Sequence, residues 1–231
     1  QYDCAYLLGY AYDYGKGVEV NKDLAKENYQ ICINNSQNQE LMSNSKFELA
    51  GILWREASNQ CDMNSIIKLY EDAINNNNYK AMYILGNKYY CGDKIKPDYD
   101  LAMLYFRMAA RFNNGKAELK IGDMYAKGIG VVKDYDKAFK WYELACRHGE
   151  HQELIDIADK LIDEKDFYKA FKLYRIICEN CKDKSKIANV MFKLGALYLY
   201  GVGIKKDKEK AIELFNLALK YGDESIKRLI E

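Results

Sequence analysis

The chain repeats itself, and that constrains its fold more than any other feature. A small residue follows an aliphatic one at Leu8-Gly9, Leu49-Ala50, Leu85-Gly86, Ile121-Gly122, Ile157-Ala158 and Leu194-Gly195. Three residues after the small residue stands Tyr12, Leu53, Tyr89, Tyr125, Leu161 or Tyr198. The steps between copies are 41, 36, 36, 36 and 37 residues. Self-similarity at this period marks stacked supersecondary units that bury their apolar faces against one another.

A second landmark follows in each copy. Ala102, Tyr105-Phe106 and Ala109 show it, as do Ala138, Trp141-Tyr142 and Ala145, and Ala211, Leu214-Phe215 and Ala218. Weaker versions begin at Ala25, Ile66 and Ala170. Offsets of three, four, seven and eight define one face of an α-helix. The first landmark sits on a helical pattern too, so each unit reads as a helix pair, A then B. The small residue lets A approach B closely. Asn21, Asp62, Asp98, Asp134, Asp166 and Asp207 stand four residues before the opening of the second landmark, where a short acceptor caps helix B. Asp23, Asp100, Asp136 and Glu209, two further on, favour the helix dipole.

Between the landmarks lie Gly15 and Gly17, Gly128 and Gly130, and Gly201 and Gly203. A phosphate-binding glycine run needs a strand before it and a helix directly after. These runs lie between two helical patterns, so they read as turns in which glycine closes helix A in the left-handed region.

The segments Ile121 to Ala145, Leu194 to Leu219 and Leu8 to Tyr29 resemble the Sel1-like repeat, a relative of the tetratricopeptide repeat. The resemblance covers essentially the whole chain. It is weakest in the copies at Leu49 and Ile157. It implies an all-α fold, a right-handed α/α superhelical solenoid of about six helix pairs. The expected units are 1–40, 41–77, 78–114, 115–149, 150–186 and 187–222, followed by a terminal helix at 223–231 within a single solenoid. It also implies a non-catalytic scaffold or adaptor that binds a protein or peptide. Hydrolase-like activity in cysteine-rich relatives is the rival reading, and a structural subunit is another. Neither end carries a polar capping repeat, so the chain reads as a fragment of a longer protein or as one that meets a partner or self-associates end to end.

Two copies depart from the pattern. The landmarks are 16 residues apart in five units but only 12 in the fifth, from Ala158 to Ala170, where the glycine turn is missing. The second copy keeps the length but has no glycines in REASNQCDMN. Five-residue insertions fall in Asn34 to Asn44 and Asn180 to Ala188, expected as loops at one edge. Irregular units are where a solenoid bends, receives a partner, or simply tolerates drift. Asn75 to Asn78 reads as a compositional run in a turn.

If the A helices line the groove, the stripe opposite Gly122 and Tyr125 lies at offsets −2, +1 and +5 from the small residue. The candidate contact residues on it are Tyr10, Tyr14, Asn87, Lys120, Asp123, Lys127, Asp156, Asp159, Asp163 and Tyr200. Three aspartates on one face of the fifth A helix repel unless solvated or matched by a basic ligand. The aromatic pairs read as core.

Charge and chemistry narrow the function classes. A net charge of +1 gives no signature of nucleic-acid binding. Leu194 to Ile204, one of the longer uncharged stretches, has 11 residues, too few for a transmembrane helix, so no membrane insertion is expected. Seven cysteines make an odd set, expected to be mostly reduced, which leans towards the cytoplasm. Cys4 and Cys32 could meet across the first hairpin. Cys146, His148 and His151 fall short of the four ligands of a structural zinc site. The lone Cys178/Cys181 pair lacks a redox fold around it. Asn34-Asn35-Ser36 is a glycosylation sequon if exposed in a secreted protein. No catalytic, cofactor or metal residues are expected.

Overall fold

The computed structural model describes residues 3–57 and 60–222. The expected terminal helix at 223–231 lies outside them. Twelve α-helices and no strand occur among the described residues: α1 (Asp3–Tyr14), α2 (Lys22–Asn35), α3 (Gln39–Glu56), α4 (Gln60–Ile74), α5 (Tyr79–Cys91), α6 (Tyr99–Ala110), α7 (Gly115–Lys127), α8 (Tyr135–Arg147), α9 (His151–Asp163), α10 (Phe167–Asn180), α11 (Ala188–Tyr200) and α12 (Lys208–Lys220). A 3-10 turn, Ser185–Ile187, precedes α11. The helices form two compact units, Gln1–Phe112 and Asn113–Glu231. In the first, α1 packs on α2, α3 on α4 and α5 on α6; in the second, α7 packs on α8, α9 on α10 and α11 on α12.

The pairing follows from the glycines. A Cβ on Gly9, Gly86, Gly122 or Gly195 would stand 2.6–3.0 Å from the ring of Tyr29, Phe106, Tyr142 or Phe215. Each ring belongs to the second landmark, 20 residues on. The glycine is therefore the site where helix A presses on the aromatic of helix B. Ala25, Ala102, Ala138, Ala170 and Ala211, which open that landmark, are fully buried.

Helix ends are set by side chains, as the spacing predicts. Asn21, Asp98, Asp134, Asp166 and Asp207 each accept at least one backbone N–H from the first turn of helix B. Gly92, Gly128 and Gly201 close α5, α7 and α11 at φ of 68°, 71° and 69°. The glycine runs are turns, and no phosphate cradle is formed.

Several details correct the sequence reading. Asp62 does not cap α4; it lies in the first turn of a helix that already begins at Gln60. With no glycine to close α3 in the left-handed region, Ala57 ends it in an extended conformation. Within REASNQCDMN, residues 55–56 and 60–64 are helical. Ser58 and Asn59 lie outside the described residues. The insertion Asn34 to Asn44 is not a loop either: it is absorbed by α2 and by α3, which reaches 18 residues. The sequon asparagine Asn34 is exposed, but on the last turn of α2 rather than in a loop, and Ser36 is buried with its hydroxyl donating to Asp3. The polyasparagine run has a structural role. Asn77 adopts φ 61°, and Asn78 caps α5 while its amide donates to Asn44.

Candidate functional site

The predicted stripe lies away from the core. Gly122 and Tyr125 are buried, whereas every one of the ten candidate residues is at least partly exposed. Their surroundings differ by unit.

In the first unit Tyr10 lies between Tyr6 and Tyr14 on α1, with ring centroids 6.3 and 4.5 Å away. The Tyr14 hydroxyl donates to Glu48 on α3 at 3.0 Å. Burial pushes the Glu48 carboxyl above its ordinary range, although the Tyr14 bond pulls it back. Asn87, on α5, accepts a weak bond from the Cys91 thiol at 3.9 Å. These residues form an aromatic rail with one half-buried carboxylate.

In the second unit the stripe is interrupted by cavities. The α7–α8 and α11–α12 turns run through seven residues each, Gly128–Asp134 and Gly201–Asp207; the α9–α10 turn has only three, Glu164–Asp166. The longer turn has a packing role. Gly203 sits so close to the start of α10 that a Cβ there would meet Phe167 Cβ at 2.7 Å and the Tyr168 amide nitrogen at 2.8 Å. Such a turn covers the N-terminal end of the preceding B helix. The short fifth turn cannot do the same for α8, and a cavity of about 440 Å³ opens over Tyr135 and Phe139.

Ala126, Tyr142, Ile157, Leu161 and Leu173 complete its apolar wall; Asp123, Lys127, Asp156, Lys160, Glu164 and Lys169 line it as well. All three lysines are already paired. Lys127 pairs with Asp123 at 3.5 Å and Lys160 with Glu164 at 3.8 Å. Lys169 pairs with Asp166 and lies 3.9 Å from the centroid of the Tyr135 ring. Asp123 also accepts from the Tyr142 hydroxyl at 2.8 Å, so it is half-buried and holds the pair together.

A second cavity, of about 490 Å³, lies on the other flank of α9, between Ile162, Phe192, Ala196 and Leu197, with Asp159, Asp163, Tyr174 and Lys193. Here the expected triple-aspartate repulsion is relieved from within. Asp159 is bound by Lys193 of α11 at 2.6 Å and accepts from the Tyr174 hydroxyl. Among the described residues Asp156 accepts only from the neutral Gln152 amide, at 2.8 Å. Asp163 makes no ion pair or side-chain hydrogen bond among the described residues. Two of the three aspartates thus keep uncompensated charge, and both are exposed.

The geometry therefore brings Asp123, Lys127 and Asp156 together at one cavity and Asp159 and Asp163 at the other. It leaves Lys120 and Tyr200 outside both, and Tyr10, Tyr14 and Asn87 in the other unit. Residues of the apolar wall, Tyr135, Phe139, Ile157, Leu161 and Leu173, were not read as site residues. Their signal was the 12-residue spacing of the fifth copy.

The six cysteines whose side chains are described are unbridged. Cys4 is exposed and Cys32 buried, and the two do not bridge the first hairpin. Burial pushes the Cys146 and Cys178 thiols up to about 12. A thiol reagent at pH 8 is expected to modify Cys4 and Cys91, which are exposed, well before Cys32, Cys146 or Cys181, which are buried. Peptide mapping of the labelled native protein checks the order; early labelling of Cys146 would contradict the packing of α8 on α10. Among the described residues no three His, Cys, Asp or Glu side chains gather as metal ligands. No described helix is long and apolar enough to cross a membrane.

Stacked helix pairs with close glycine–aromatic contacts, αL turns and an open A-helix face define an α-helical repeat protein. The Sel1 repeat model matches residues 3–31, 80–111, 115–150, 163–180 and 188–223, and the chain belongs to that family. The pair α3–α4, without turn glycines, is unmatched, and the short fifth unit matches only in its later half. Among solved structures the chain is similar to a Sel1 repeat protein from Oxalobacter formigenes (24% identity, TM-score 0.61, covering 95% of this chain and 88% of that one). It is also similar to c5321, described as a protective antigen of uropathogenic Escherichia coli with the same type of fold (20% identity, TM-score 0.65, covering 98% of this chain and 47% of that one). No curated protein matches. At these identities the likeness shows the fold. Sel1 repeat folds commonly serve as protein-interaction scaffolds.

Proposed function

We propose that the chain is a non-catalytic interaction scaffold that receives a peptide segment of a partner protein on the A-helix face of its second unit. The observation that carries this reading is the cavity opened by the shortened fifth turn. It combines an apolar wall of two helix pairs with a charged rim, the arrangement that holds a ligand by burial and orients it by a few polar groups. Asp123 and Lys127 shape the rim, and Leu161 and Phe139 supply the floor.

A random twelve-residue peptide library displayed on phage and selected on the full chain tests the reading. Selected peptides are expected to lose about tenfold or more in affinity for Leu161→Glu, since a buried apolar anchor contributes roughly 1.5–3 kcal/mol. They should bind Arg55→Glu, in the first unit, unchanged. Failure to enrich any peptide, or equal binding to Leu161→Glu, would sink the proposal.

A further inference from the structure

The two cavities lie on opposite flanks of one helix. Ile157, Lys160, Leu161 and Glu164 line the first, and Asp159, Ile162 and Asp163 line the second. At 100° per residue those two sets point to opposite sides of α9. Asp156, on the rim of the first cavity, and Asp163, on the rim of the second, stand seven residues apart and so fall together along the crest that separates the two. Any segment that fills both cavities must cross this crest, and it meets two exposed carboxylates without a cation.

Resting on the peptide-binding reading above, we infer that the ligand is an extended segment with two apolar side chains three residues apart and a Lys or Arg between or beside them. The spacing follows from the width to be crossed, about 10 Å for a helix with its side chains. A polyproline-type segment returns to the same face after three residues and about 9.3 Å. A flat β-strand offers about 6.6 Å at two residues or about 13 Å at four, and fits neither. Each cavity accepts one large aliphatic or aromatic side chain. Asp159 is excluded from cation binding because Lys193 and Tyr174 already occupy it. The charge complement is therefore Asp156 and Asp163.

The test uses synthetic peptides with two leucines separated by one to six intervening residues, drawn from Lys, Pro and Gly, and fluorescence anisotropy with the full chain. The peptide with two intervening residues is expected to bind about tenfold tighter than its neighbours in the series. Ala196→Glu, at the half-exposed wall of the second cavity, should abolish that preference. The doubly substituted Asp156→Lys, Asp163→Lys chain, altered only at exposed positions, should bind about fivefold more weakly and with less dependence on salt. A flat response to spacing, or an optimum at six intervening residues as a helical ligand would give, overturns the inference. Library peptides that still depend on Leu161 would then leave the first cavity standing as the site. A library that yields nothing removes both.

Discussion

Replacing Gly122 by alanine is expected to lower stability by about 2 kcal/mol, whereas the same change at Gly51 raises it by up to about 1 kcal/mol. Both glycines sit in helix interiors, where alanine is intrinsically favoured by about 1 kcal/mol. What differs is the space beside them. At Gly51 a Cβ meets only the Tyr70 hydroxyl, at 3.8 Å. At Gly122 it would stand 2.6 Å from two ring carbons of Tyr142. That ring cannot swing away cheaply. It is 3% exposed, and its hydroxyl is held by Asp123 at 2.8 Å. Overpacking of a fixed site costs about 1–3 kcal/mol or more, which outweighs the propensity gain. Urea unfolding of the two variants beside the parent chain gives the signs directly. Equal stabilisation at both positions would mean that helix propensity, not the A–B contact, governs the pair. Because Tyr142 also lines the first cavity, the Gly122 variant should weaken peptide binding as well.

Much of this architecture was readable because it is periodic. A glycine and an aromatic 20 residues apart recur four times, so one local contact specified four helix pairs. The caps were readable for the same reason, except Asp62, where the missing glycine let α4 start early. The first insertion was misread because spacing counts residues without saying whether they are helical, and α3 simply grew longer, whereas the stretch 181–184 in the second is irregular, as expected of a connection. The site was half readable. Offsets along helix A placed Asp123, Lys127 and Asp156 on the open face, but the apolar wall comes from α8 and α10, whose aromatics carry the same periodicity as core residues. Only the turn of a neighbouring pair decides whether Tyr135 and Phe139 are covered. The partners of Asp159 lie 15 and 34 residues away, at Tyr174 and Lys193, beyond any pattern within one helix.

His148 shows how a contact of that range can fix the site's shape, and its removal is expected to cost about 3 kcal/mol. Glu118, in the first turn of α7, is buried to 2% exposure, and His148 Nδ1 lies 2.7 Å from its carboxylate. From sequence, His148 reads only with Cys146 and His151 as an incomplete ligand set, and nothing there points to Glu118. An ionised Glu118 requires the N–H at Nδ1 as donor. Acid crowds the same corner, where burial and then the charge of Glu153 raise the Glu150 carboxyl above its ordinary value. His148→Ala would leave a buried carboxylate beside other acids with its imidazole partner gone, the situation in which breaking a pair costs about 3–5 kcal/mol in a fully enclosed site. The ring is partly exposed, which places the expectation at the lower end. Replacing both partners, as in Glu118→Leu with His148→Leu, removes the stranded charge together with its partner and should recover most of the loss. A double variant no more stable than His148→Ala would show that the imidazole acts by packing alone. The contact joins the start of α7 to the connection between α8 and α9, so it holds the helices on either side of the first cavity in register. His148→Ala should therefore loosen peptide affinity at Leu161 under conditions where the chain is still folded, an effect that a pure stability loss would not produce.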